Sequence, residues 1–392
     1  MTFSVLSSDM DNTEKVTSFL DECRVMGLNV LPPDVDQSAY MFEAKDATTI
    51  RYGLGAVKGV GRGACEAIVE ARRAGEFEDL LAFCKRVDSG KLNRRALEAL
   101  TQAGALDKLG KNRASIMLQL PEVLKATDQL AKEREAGQVS LFGGFEAAAP
   151  ALHLDLPETD EWPLQQKLQG ERETLGHYLS GHPLDPYRDE LRGLVGHDLS
   201  DLDRLWSERP DDERRGWRPE MPIVIAGQVI AMRKRGDSQA FVQIEDGRGR
   251  IECAFFAEAY YTFAQLLTRD RILVIEGGLR EDEFSGGFSL RAKRCWDFSQ
   301  VCSQYAQRLS VKLDLRQKDA LAQFERALHP YLPGATPLLL EAITANAVGR
   351  LSINGGQGVR ADAALPGVLR SLPGVKTVRL ALAKPWAVRA AD

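Results

Sequence analysis

The sequence predicts a multidomain α+β protein, and three observations along the chain support this fold class. Residues 50–126 carry apolar side chains at spacings of three and four, which indicates short helices. Residues 222–298 alternate apolar and polar side chains with a period of two, as strands do. Residues 308–383 switch between strand-like and helix-like segments. Because the chain has 392 residues, of which 44% are hydrophobic, it can form several separate cores.

The first 50 residues are acidic and predict one capped helix followed by short strands. Asp11 or Asn12 can cap a helix that runs to about Met26, and Gly27 ends it. Asp9 and Asp11 have the Asp-x-Asp spacing that can hold magnesium. No nearby strand would aim both carboxylates at one point. We therefore interpret them as solvated side chains and expect no metal site in the chain.

A glycine hairpin between two helical runs organises residues 51–136. Leu54 and Val57 precede it at helical spacing, and Ala64 and Ile68 follow it. Glycines let another backbone approach closely, and the start of the second helix offers unpaired N–H groups to a phosphate. The residues expected at this contact are Lys58, Gly59, Val60, Gly61, Arg62 and Gly63. The alternative is a tight corner between helices whose glycines serve only packing.

A second unit of the same kind follows the first. Asn93–Gln102 is predicted as a helix, residues 103–105 turn the chain, and another helix begins at residues 110–113. Residues 51–126 hold 14 Lys and Arg against 9 Asp and Glu, in a chain whose net charge is −5. Further candidate contacts are Lys91, Arg94, Arg95, Gly110, Lys111 and Arg113. The two units predict a tandem helix-hairpin-helix domain that binds duplex DNA through its phosphates.

A short apolar peptide bounded by glycines, GQVSLFGG, occupies residues 137–144. It is too short to bury its own apolar side chains. It resembles the motif with which replication proteins dock on the ring-shaped sliding clamp, where apolar side chains fill a pocket. The residues expected at the clamp are Gln138, Val139, Ser140, Leu141 and Phe142. The alternative is a linker that packs onto its own domain.

Residues 137–221 as a whole are predicted as this peptide followed by an acidic connector rich in proline. His177 and His182 lie in the connector, but no Ser-His-Asp or Cys-His arrangement accompanies them. We interpret both as packing residues and predict no catalytic residue in the chain. The six cysteines form no CxxC pair, which indicates reduced thiols without a structural zinc.

Residues 222–298 predict an OB-fold, because their elements follow the order strand-strand-strand-helix-strand-strand. The strands are expected at 222–232, 239–245, 250–256, 271–277 and 287–296, and the helix at 258–267. Alternation points Val242 inward and Phe241 outward. An outward aromatic among cations can stack on bases and hold single-strand phosphates. The candidate contacts are Arg233, Lys234, Arg235, Phe241, Arg250, Arg291 and Lys293. The alternative is a barrel used for protein contact.

Residues 299–392 predict a small split βαβ domain with the element order β-α-β-β-α-β. The strands are expected at 309–315, 337–343, 350–353 and 375–382, and the helices at 317–329 and 361–371. No nucleotide-binding loop is present, so we expect this domain to bind protein. Since no run approaches the roughly 20 apolar residues of a membrane span, and residues 1–12 do not form a signal peptide, we expect a cytoplasmic protein.

Six segments resemble the C-terminal part of the bacterial replicative DNA polymerase III alpha subunits, the C-family of DNA polymerases. They are DMDNTEKV, YGLGAVKGVG, KLNRRALEAL, GQVSLFG, GERETLGHYLSGHPL and the FSGG at Phe284–Gly287. The resemblance implies the end of the fingers at 1–50, duplex-binding hairpins at 51–136 and a clamp-binding peptide at 138–142. It further implies an OB domain near the template at 222–298 and a domain for the clamp loader's tau subunit at 299–392.

The resemblance also implies which parts of such a polymerase this chain does not hold. The palm with its metal-binding aspartates and most of the fingers would lie upstream of Met1, so we expect no DNA synthesis by the chain alone. No cofactor is expected, because Mg²⁺ would belong to the palm. The expected partners are double- and single-stranded DNA, the sliding clamp (beta subunit) and the tau subunit, without a membrane. A free-standing nucleic-acid-binding adaptor stays open as the alternative function.

Overall fold

The computed structural model describes residue 10 and residues 13–135, 156–209, 220–282, 286–355 and 357–387. The chain divides into two compact units, residues 1–181 and residues 182–392. Within the described residues, no helix is both long enough and apolar enough to cross a lipid bilayer. No group of three or more His, Cys, Asp or Glu side chains in these residues is arranged to bind a metal ion.

The first unit is mostly helical. Its helices are α1 (Thr13–Val25), α2 (Arg62–Ala71), α3 (Leu80–Arg86), α4 (Arg94–Gln102), α5 (Arg113–Glu135) and α6 (Leu164–Leu175). Three short strands, β1 (Asn29–Leu31), β2 (Glu43–Ala44) and β3 (Thr49–Arg51), form a small sheet in which β3 lies in the middle. Turns of 3₁₀-helix occupy Leu54–Ala56 and Arg72–Ala74.

One apolar core holds the helices and the hairpin of the first unit together. Val16, Leu20 and Cys23 of α1 are buried in it, as their helical spacing predicts. Tyr52 is fully buried with its ring 4.7 Å from that of Phe42, and burial raises the pKa of its phenol well above the ordinary value. The segment just before the hairpin is therefore anchored in the core of the first unit.

The second unit contains a barrel, a four-stranded sheet and the helices around them. The first helices are α7 (Arg188–Val195) and α8 (Leu202–Glu208), with 3₁₀ turns at Asp185–Tyr187 and Leu199–Asp201. The barrel comprises β4 (Met221–Lys234), β5 (Gln239–Glu245), β6 (Arg250–Phe256), α9 (Ala257–Phe263), β7 (Ile272–Asp282) and β8 (Gly287–Asp297). After it come α10 (Phe298–Gln304), β9 (Ala306–Asp314), α11 (Ala320–Leu328), a 3₁₀ turn at His329–Tyr331, β10 (Leu338–Ile343), β11 (Val348–Ile353), α12 (Leu365–Arg370) and β12 (Val375–Leu382).

The barrel closes in the order β4-β5-β6-β8-β7, with β6 and β8 parallel, which confirms the predicted OB-fold. Strands β5 and β6 begin and end at the predicted residues. Val242 is fully buried and Phe241 lies on the outer face, also as predicted. The helix α9 ends at Phe263 rather than near Leu267, because turn hydrogen bonds at 263–268 carry the fully buried Leu267 into the core.

The terminal sheet has the predicted order of elements, β-α-β-β-α-β, with one difference in strand adjacency. The spatial order is β11-β10-β9-β12, and the strands β9 and β10 joined by α11 are parallel neighbours. The βαβ unit is therefore not split by a third strand. Because a short turn at 344–347 returns β11 antiparallel along β10, β11 takes the outer edge and cannot enter between β9 and β10.

All six cysteines are buried, without disulfide partners. Burial raises the pKa of Cys65, Cys84, Cys295 and Cys302 to about 12. These thiols therefore stay protonated at neutral pH and serve as small apolar core residues.

Candidate nucleic-acid interfaces

The glycine hairpin at residues 57–61 places its apolar side chains in the core and its polar groups in solvent. Val57 and Val60 are buried, whereas Lys58, Gly59 and Arg62 are exposed. Gly59 has φ +98°, a left-handed conformation that a residue with a Cβ rarely adopts. Two buried valines therefore hold the ends of the turn in the core, and the exposed Lys-Gly pair between them makes the turn sharp.

The glycines of this region have two different roles. A Cβ added at Gly53 or Gly55 would come within 2.5 Å of Met41 or Tyr40, so these two glycines allow close packing. Gly61 and Gly63 face open space, with nothing within 4 Å of an added Cβ. Packing alone therefore accounts for Gly53 and Gly55, but it does not account for the open surface at the start of α2.

Hydrogen-bond donors at this open surface are partly committed. The N–H of Lys58 donates to the carbonyl of Thr174 at 2.8 Å, and that of Val60 donates to the carbonyl of Val57 at 3.1 Å. Helix α2 begins after Gly61, which has no side chain to cap it. The N–H of Ala64 donates to the carbonyl of Gly61 at 3.0 Å. The N–H groups of Arg62 and Gly63 come before this bond, and they lie at the positive end of the helix dipole without an intrahelical acceptor. A phosphate oxygen fits this end of α2.

The two hairpin units meet at α4. A Cβ at Gly59 would lie 3.5 Å from the Cβ of Ala99 on α4. Arg95 lies four residues before Ala99, hence one turn away on the same face of the helix. The exposed side chain of Arg95 therefore shares a surface with the first hairpin. We call Lys58, Gly61, Arg62, Gly63 and Arg95 the hairpin surface.

The candidate cations of the first unit differ in whether they already have a carboxylate partner. Arg62 bonds Glu66 at 2.9 Å, Arg94 bonds Glu98 at 2.8 Å, and Lys111 lies 3.1 Å from Glu158. These exposed pairs are weak and can exchange for a phosphate. Three exposed candidates have no ion-pair partner among the described residues, namely Lys58, Lys91 and Arg95.

Arg113 requires a correction, because it cannot reach a phosphate. It is only 3% exposed, and its guanidinium bonds Asp107 at 2.8 Å and the fully buried Glu171 at 2.8 Å. Glu171 also accepts the N–H groups of Leu179 and Ser180 at 2.7 and 2.9 Å. Arg113 is therefore a structural residue that ties the second hairpin to the segment 171–180.

On the barrel, an aromatic residue and two arginines form one row across four strands. Arg233 of β4 lies opposite Phe241 of β5, which lies opposite Ala254 of β6, which lies opposite Arg291 of β8. The guanidinium of Arg233 stands 5.3 Å from the ring centre of Phe241. Directly paired residues present their side chains on the same face of a sheet. We call these four residues the barrel ladder.

Sequence reasoning missed a second aromatic residue on this face. Phe256 ends β6, and its ring stands 6.0 Å from that of Phe241, with Arg291 6.0 Å from its centre. The signal was available, since Arg250 was a predicted contact and Phe256 follows it at an even spacing on the same strand. Two aromatic rings flanked by two arginines can stack on bases and contact phosphates.

Acidic side chains partly neutralise the barrel face. Arg233 pairs with Glu252 at 3.1 Å, and Arg291 lies 4.0 Å from Glu220. Lys293 is exposed, and no ion-pair partner of it occurs in the described part of the chain. Lys234 and Arg235 are exposed where β4 turns toward β5, and Gly236 there has φ +64°. Modest electrostatic attraction and a larger stacking contribution are therefore expected of this face.

Arg250 is exposed but engaged with a buried carboxylate. Its Nε donates to Glu245 at 2.8 Å, and the Nε2 of His182 lies 3.5 Å from the other oxygen of Glu245. Burial alone would raise the pKa of Glu245, but the contacts with His182 and Arg250 lower it below its ordinary value. His177 packs in the first unit, 5.6 Å from the ring of Tyr52. Each histidine therefore packs within its own unit.

The predicted clamp peptide, Gln138–Phe142, lies outside the described residues.

Comparisons with known proteins place both surfaces in named families. Residues 27–116 match the family described as a helix-hairpin-helix motif, and residues 223–297 match the family described as an OB-fold nucleic acid binding domain. The DNA polymerase III alpha subunit of Xylella fastidiosa strain Temecula1 is 55% identical over 98% of this chain and 33% of its own length. The chain is homologous to the bacterial DNA polymerase III alpha subunit.

The same homology extends to more distant bacteria. The alpha subunit of Escherichia coli K12 is 39% identical over 96% of this chain and 32% of its own length. This chain corresponds to the C-terminal third of the alpha subunit, so it spans about a third of the length of the curated relatives it matches. The predicted family and the order of the two nucleic-acid-binding domains are thereby confirmed.

A solved structure with a similar fold matches a small part of the chain. An asparaginyl-tRNA synthetase from Pyrococcus horikoshii is 22% identical over 20% of this chain and 20% of its own, with a TM-score of 0.18. A likeness this slight says nothing about function.

Proposed function

We propose that this chain is the part of a DNA polymerase III alpha subunit that holds DNA and tethers the enzyme during chromosomal replication. The observation that carries the proposal is the hairpin surface, where the uncapped start of α2 lies beside exposed cations. A homology to alpha subunits over 98% of the chain supports the replicative setting. Polymerisation itself would be carried out by the longer polypeptide, through residues outside this third.

The hairpin surface would bind the backbone of duplex DNA. Lys58 and Arg95 have no ion-pair partner in the described residues, so a phosphate displaces no carboxylate from them. The glycines at 61 and 63 leave room for the sugar-phosphate backbone to approach the helix end. Such contacts reach phosphates only and carry no information on base sequence. The binding is therefore independent of sequence.

The barrel ladder would bind single-stranded DNA. Phe241 of the ladder and the neighbouring Phe256 supply ring faces, and Arg233 and Arg291 supply charge. Every base has a face that can stack on an aromatic ring, so this contact also tolerates any sequence. A carboxylate near each arginine keeps the electrostatic contribution small, and the strand can move across the face.

The peptide Gln138–Phe142 would tether the chain to the sliding clamp, and residues 299–392 would contact the tau subunit of the clamp loader. Tethering makes rebinding to DNA intramolecular, with an effective concentration of about millimolar for a short linker. That gain is what processive synthesis requires. The support is the Gln-x-x-Leu-Phe pattern between glycines and the homology to alpha subunits.

The salt dependence of duplex binding tests this function. The whole chain is titrated with two unrelated duplexes of equal length across a salt series. We expect equal affinities and a linear fall of log K with log salt, with a slope of about −0.9 for each phosphate contacted. Binding that ignores salt, or that differs strongly between the two duplexes, would exclude the proposed contact.

A further inference from the structure

The terminal sheet has one face covered by helices and one face in solvent. Leu309, Val311 and Leu313 of β9 are buried together with Val378 and Leu380 of β12 in the core that α11 and α12 close. Side chains alternate along a strand, so the residues between these point to the opposite face. They belong to the part of the chain, residues 299–392, that holds 12 Lys and Arg against 6 Asp and Glu.

The solvent face of this sheet is basic. Arg350, Glu341 and Lys312 lie in one row across β11, β10 and β9, and the row continues to Thr377 of β12. The next rows place Arg379 opposite Ser310 and Arg308 opposite Ala381. We call Arg308, Lys312, Arg350 and Arg379 with the residues between them the open sheet face.

Only part of this charge is neutralised. Glu341 bonds Lys312 at 2.8 Å and Arg350 at 3.2 Å. Arg308 and Arg379 are exposed, and neither has an ion-pair partner within the residues that the structure describes. The carboxylates near the edge of β12 already pair with another arginine. Glu190 bonds Arg370 at 2.5 Å, and Asp189 lies 3.5 Å from the same guanidinium. Two arginines on neighbouring strands are therefore left for an anionic ligand.

We propose that the open sheet face binds the phosphate backbone of single-stranded DNA and extends the barrel's single-strand site. The inference rests on the proposed function of the barrel ladder. Its rows also present Ser310, Ser352 and Thr377, whose hydroxyls can donate to phosphate oxygens. They present no aromatic ring, so the face contacts the backbone without reading bases.

Contacts within the second unit connect this face to the barrel. The N–H of Ala383, just after β12, donates to the carbonyl of Tyr305 at 2.8 Å, beside the start of β9. The ring of Trp386 stands 5.9 Å from that of Trp296 on β8, and Arg294 of β8 donates to the carbonyl of Trp386 at 3.2 Å. Arg308 and Arg379 therefore lie at the end of the sheet nearest β8, the strand that carries Arg291.

An acidic protein segment is the other anion that such a face could hold. Peptides of that kind gain most of their affinity from apolar anchors in pockets. The two rows that carry Arg308 and Arg379 offer these two cations and the hydroxyls of Ser310 and Ser352, with Leu339 and Ala381 as their apolar side chains. Continuity with the barrel, which is proposed to bind a single strand, favours DNA.

The length dependence of single-strand binding tests the proposal on the whole chain. One OB-fold covers about 4–16 nucleotides, so a strand of about 10 reports on the barrel and one of about 30 reaches beyond it. We expect Arg308→Ala with Arg379→Ala to weaken binding of the long strand roughly tenfold and to leave the affinity for the short strand unchanged. The log–log salt slope should shrink by about 1.4, because each single-strand phosphate contributes about 0.7.

Two further variants control for charge and for folding. Lys318→Ala with Arg326→Ala removes the same charge from exposed positions at and near α11, and it should leave both affinities unchanged. Glu341→Gln removes the carboxylate partner of Lys312 and Arg350, and it should raise the affinity for the long strand severalfold. A variant that merely unfolds cannot bind more tightly.

A long strand bound equally by wild type and by the Arg308/Arg379 variant would overturn the inference. An equal loss in the Lys318/Arg326 control would also overturn it. Phe241→Ala separates this result from the barrel proposal. If that variant loses the short strand while the Arg308/Arg379 variant behaves as wild type, the open sheet face alone is excluded. If it binds the short strand as wild type does, the barrel proposal itself fails.

Discussion

Arg113 donates a 2.8 Å hydrogen bond to Glu171, and both side chains are almost wholly removed from solvent. Removing one member of a buried ion pair leaves the other charge buried without compensation. Arg113 also donates to Asp107, and Glu171 also accepts two backbone N–H groups, so both side chains are well supplied with hydrogen bonds. It fixes the second hairpin unit on a segment 58 residues further along the chain.

Loss of the Arg113 side chain should therefore destabilise the first unit without acting on DNA directly. We expect Arg113→Ala to lower the free energy of unfolding by about 3–5 kcal/mol. Chemical denaturation of the whole chain measures this. Arg95→Ala, at an exposed position on α4, is the control and should change stability by less than about 0.5 kcal/mol. Equal stability of the two variants would show that the buried pair is not structural.

Phe256 should contribute to single-strand binding although no sequence pattern singled it out. Phe256→Ala is expected to weaken binding of a short oligonucleotide by about 1–3 kcal/mol, as loss of one stacking ring does. Tyr261→Ala, which removes a more exposed aromatic ring from α9, is the matched control and should have no effect. Fluorescence anisotropy with a labelled strand measures both. Weaker binding only in the α9 variant would move the site off the barrel ladder.

Glu245 should make the stability of the second unit depend on pH. The contacts with His182 and Arg250 hold its pKa below the ordinary value of 4.5. A carboxyl whose pKa is lowered by folding stabilises the folded state at pH values above its ordinary pKa. That stabilisation is lost as the pH falls through the lower pKa of the folded state. Glu245→Gln should therefore be less stable than wild type near neutral pH, with a difference that narrows below about 4.5.

Thermal unfolding across a pH series provides the measurement for Glu245. Glu252→Gln on the neighbouring strand replaces an exposed carboxylate and serves as the control. If the difference in stability between the wild type and Glu245→Gln stays constant with pH, the carboxylate is not held in its charged form.

The clamp peptide should depend on its two large apolar side chains. Burying Leu141 and Phe142 in a preformed pocket is worth roughly 1.5–3 kcal/mol each. Leu141→Ala with Phe142→Ala should therefore abolish binding to the sliding clamp and preserve binding to duplex and single-stranded DNA. Leu118→Ala with Tyr261→Ala removes two exposed apolar side chains outside the peptide and should retain clamp binding. Full clamp affinity in the Leu141/Phe142 variant would place the docking site elsewhere, with residues 299–392 as the next place to test.

Local patterns predicted the elements of this chain well, because hydrophobic periodicity is a property of neighbouring residues. Strands β5 and β6 alternate between buried and more exposed side chains over their first residues, so their limits and faces followed from the sequence. The adjacency of β9 and β10 did not follow, since the order of elements along a chain does not determine which strands pair.

The candidate sites were limited by the same lack of long-range information. Arg113 has the charge of a phosphate contact, and only its distant partner Glu171 shows that it is buried. Residue type likewise does not show which arginine is already paired: Arg62 and Arg94 each pair with a glutamate, whereas Arg95 has no ion-pair partner among the residues that the structure describes. Phe256 is different, because strand parity alone could have placed it beside Phe241.

The central claim is that one chain holds duplex DNA at the hairpin surface and single-stranded DNA at the barrel ladder. The most direct test measures both ligands on the same two variants, Lys58→Glu with Arg95→Glu and Phe241→Ala, with Lys85→Glu as an exposed charge control. We predict that the first variant loses duplex affinity, with a salt slope smaller by about 1.8, and retains the single strand. Phe241→Ala should lose about 1–3 kcal/mol on the single strand and retain the duplex. Equal losses on both ligands in either variant, or no loss in any, would contradict the account.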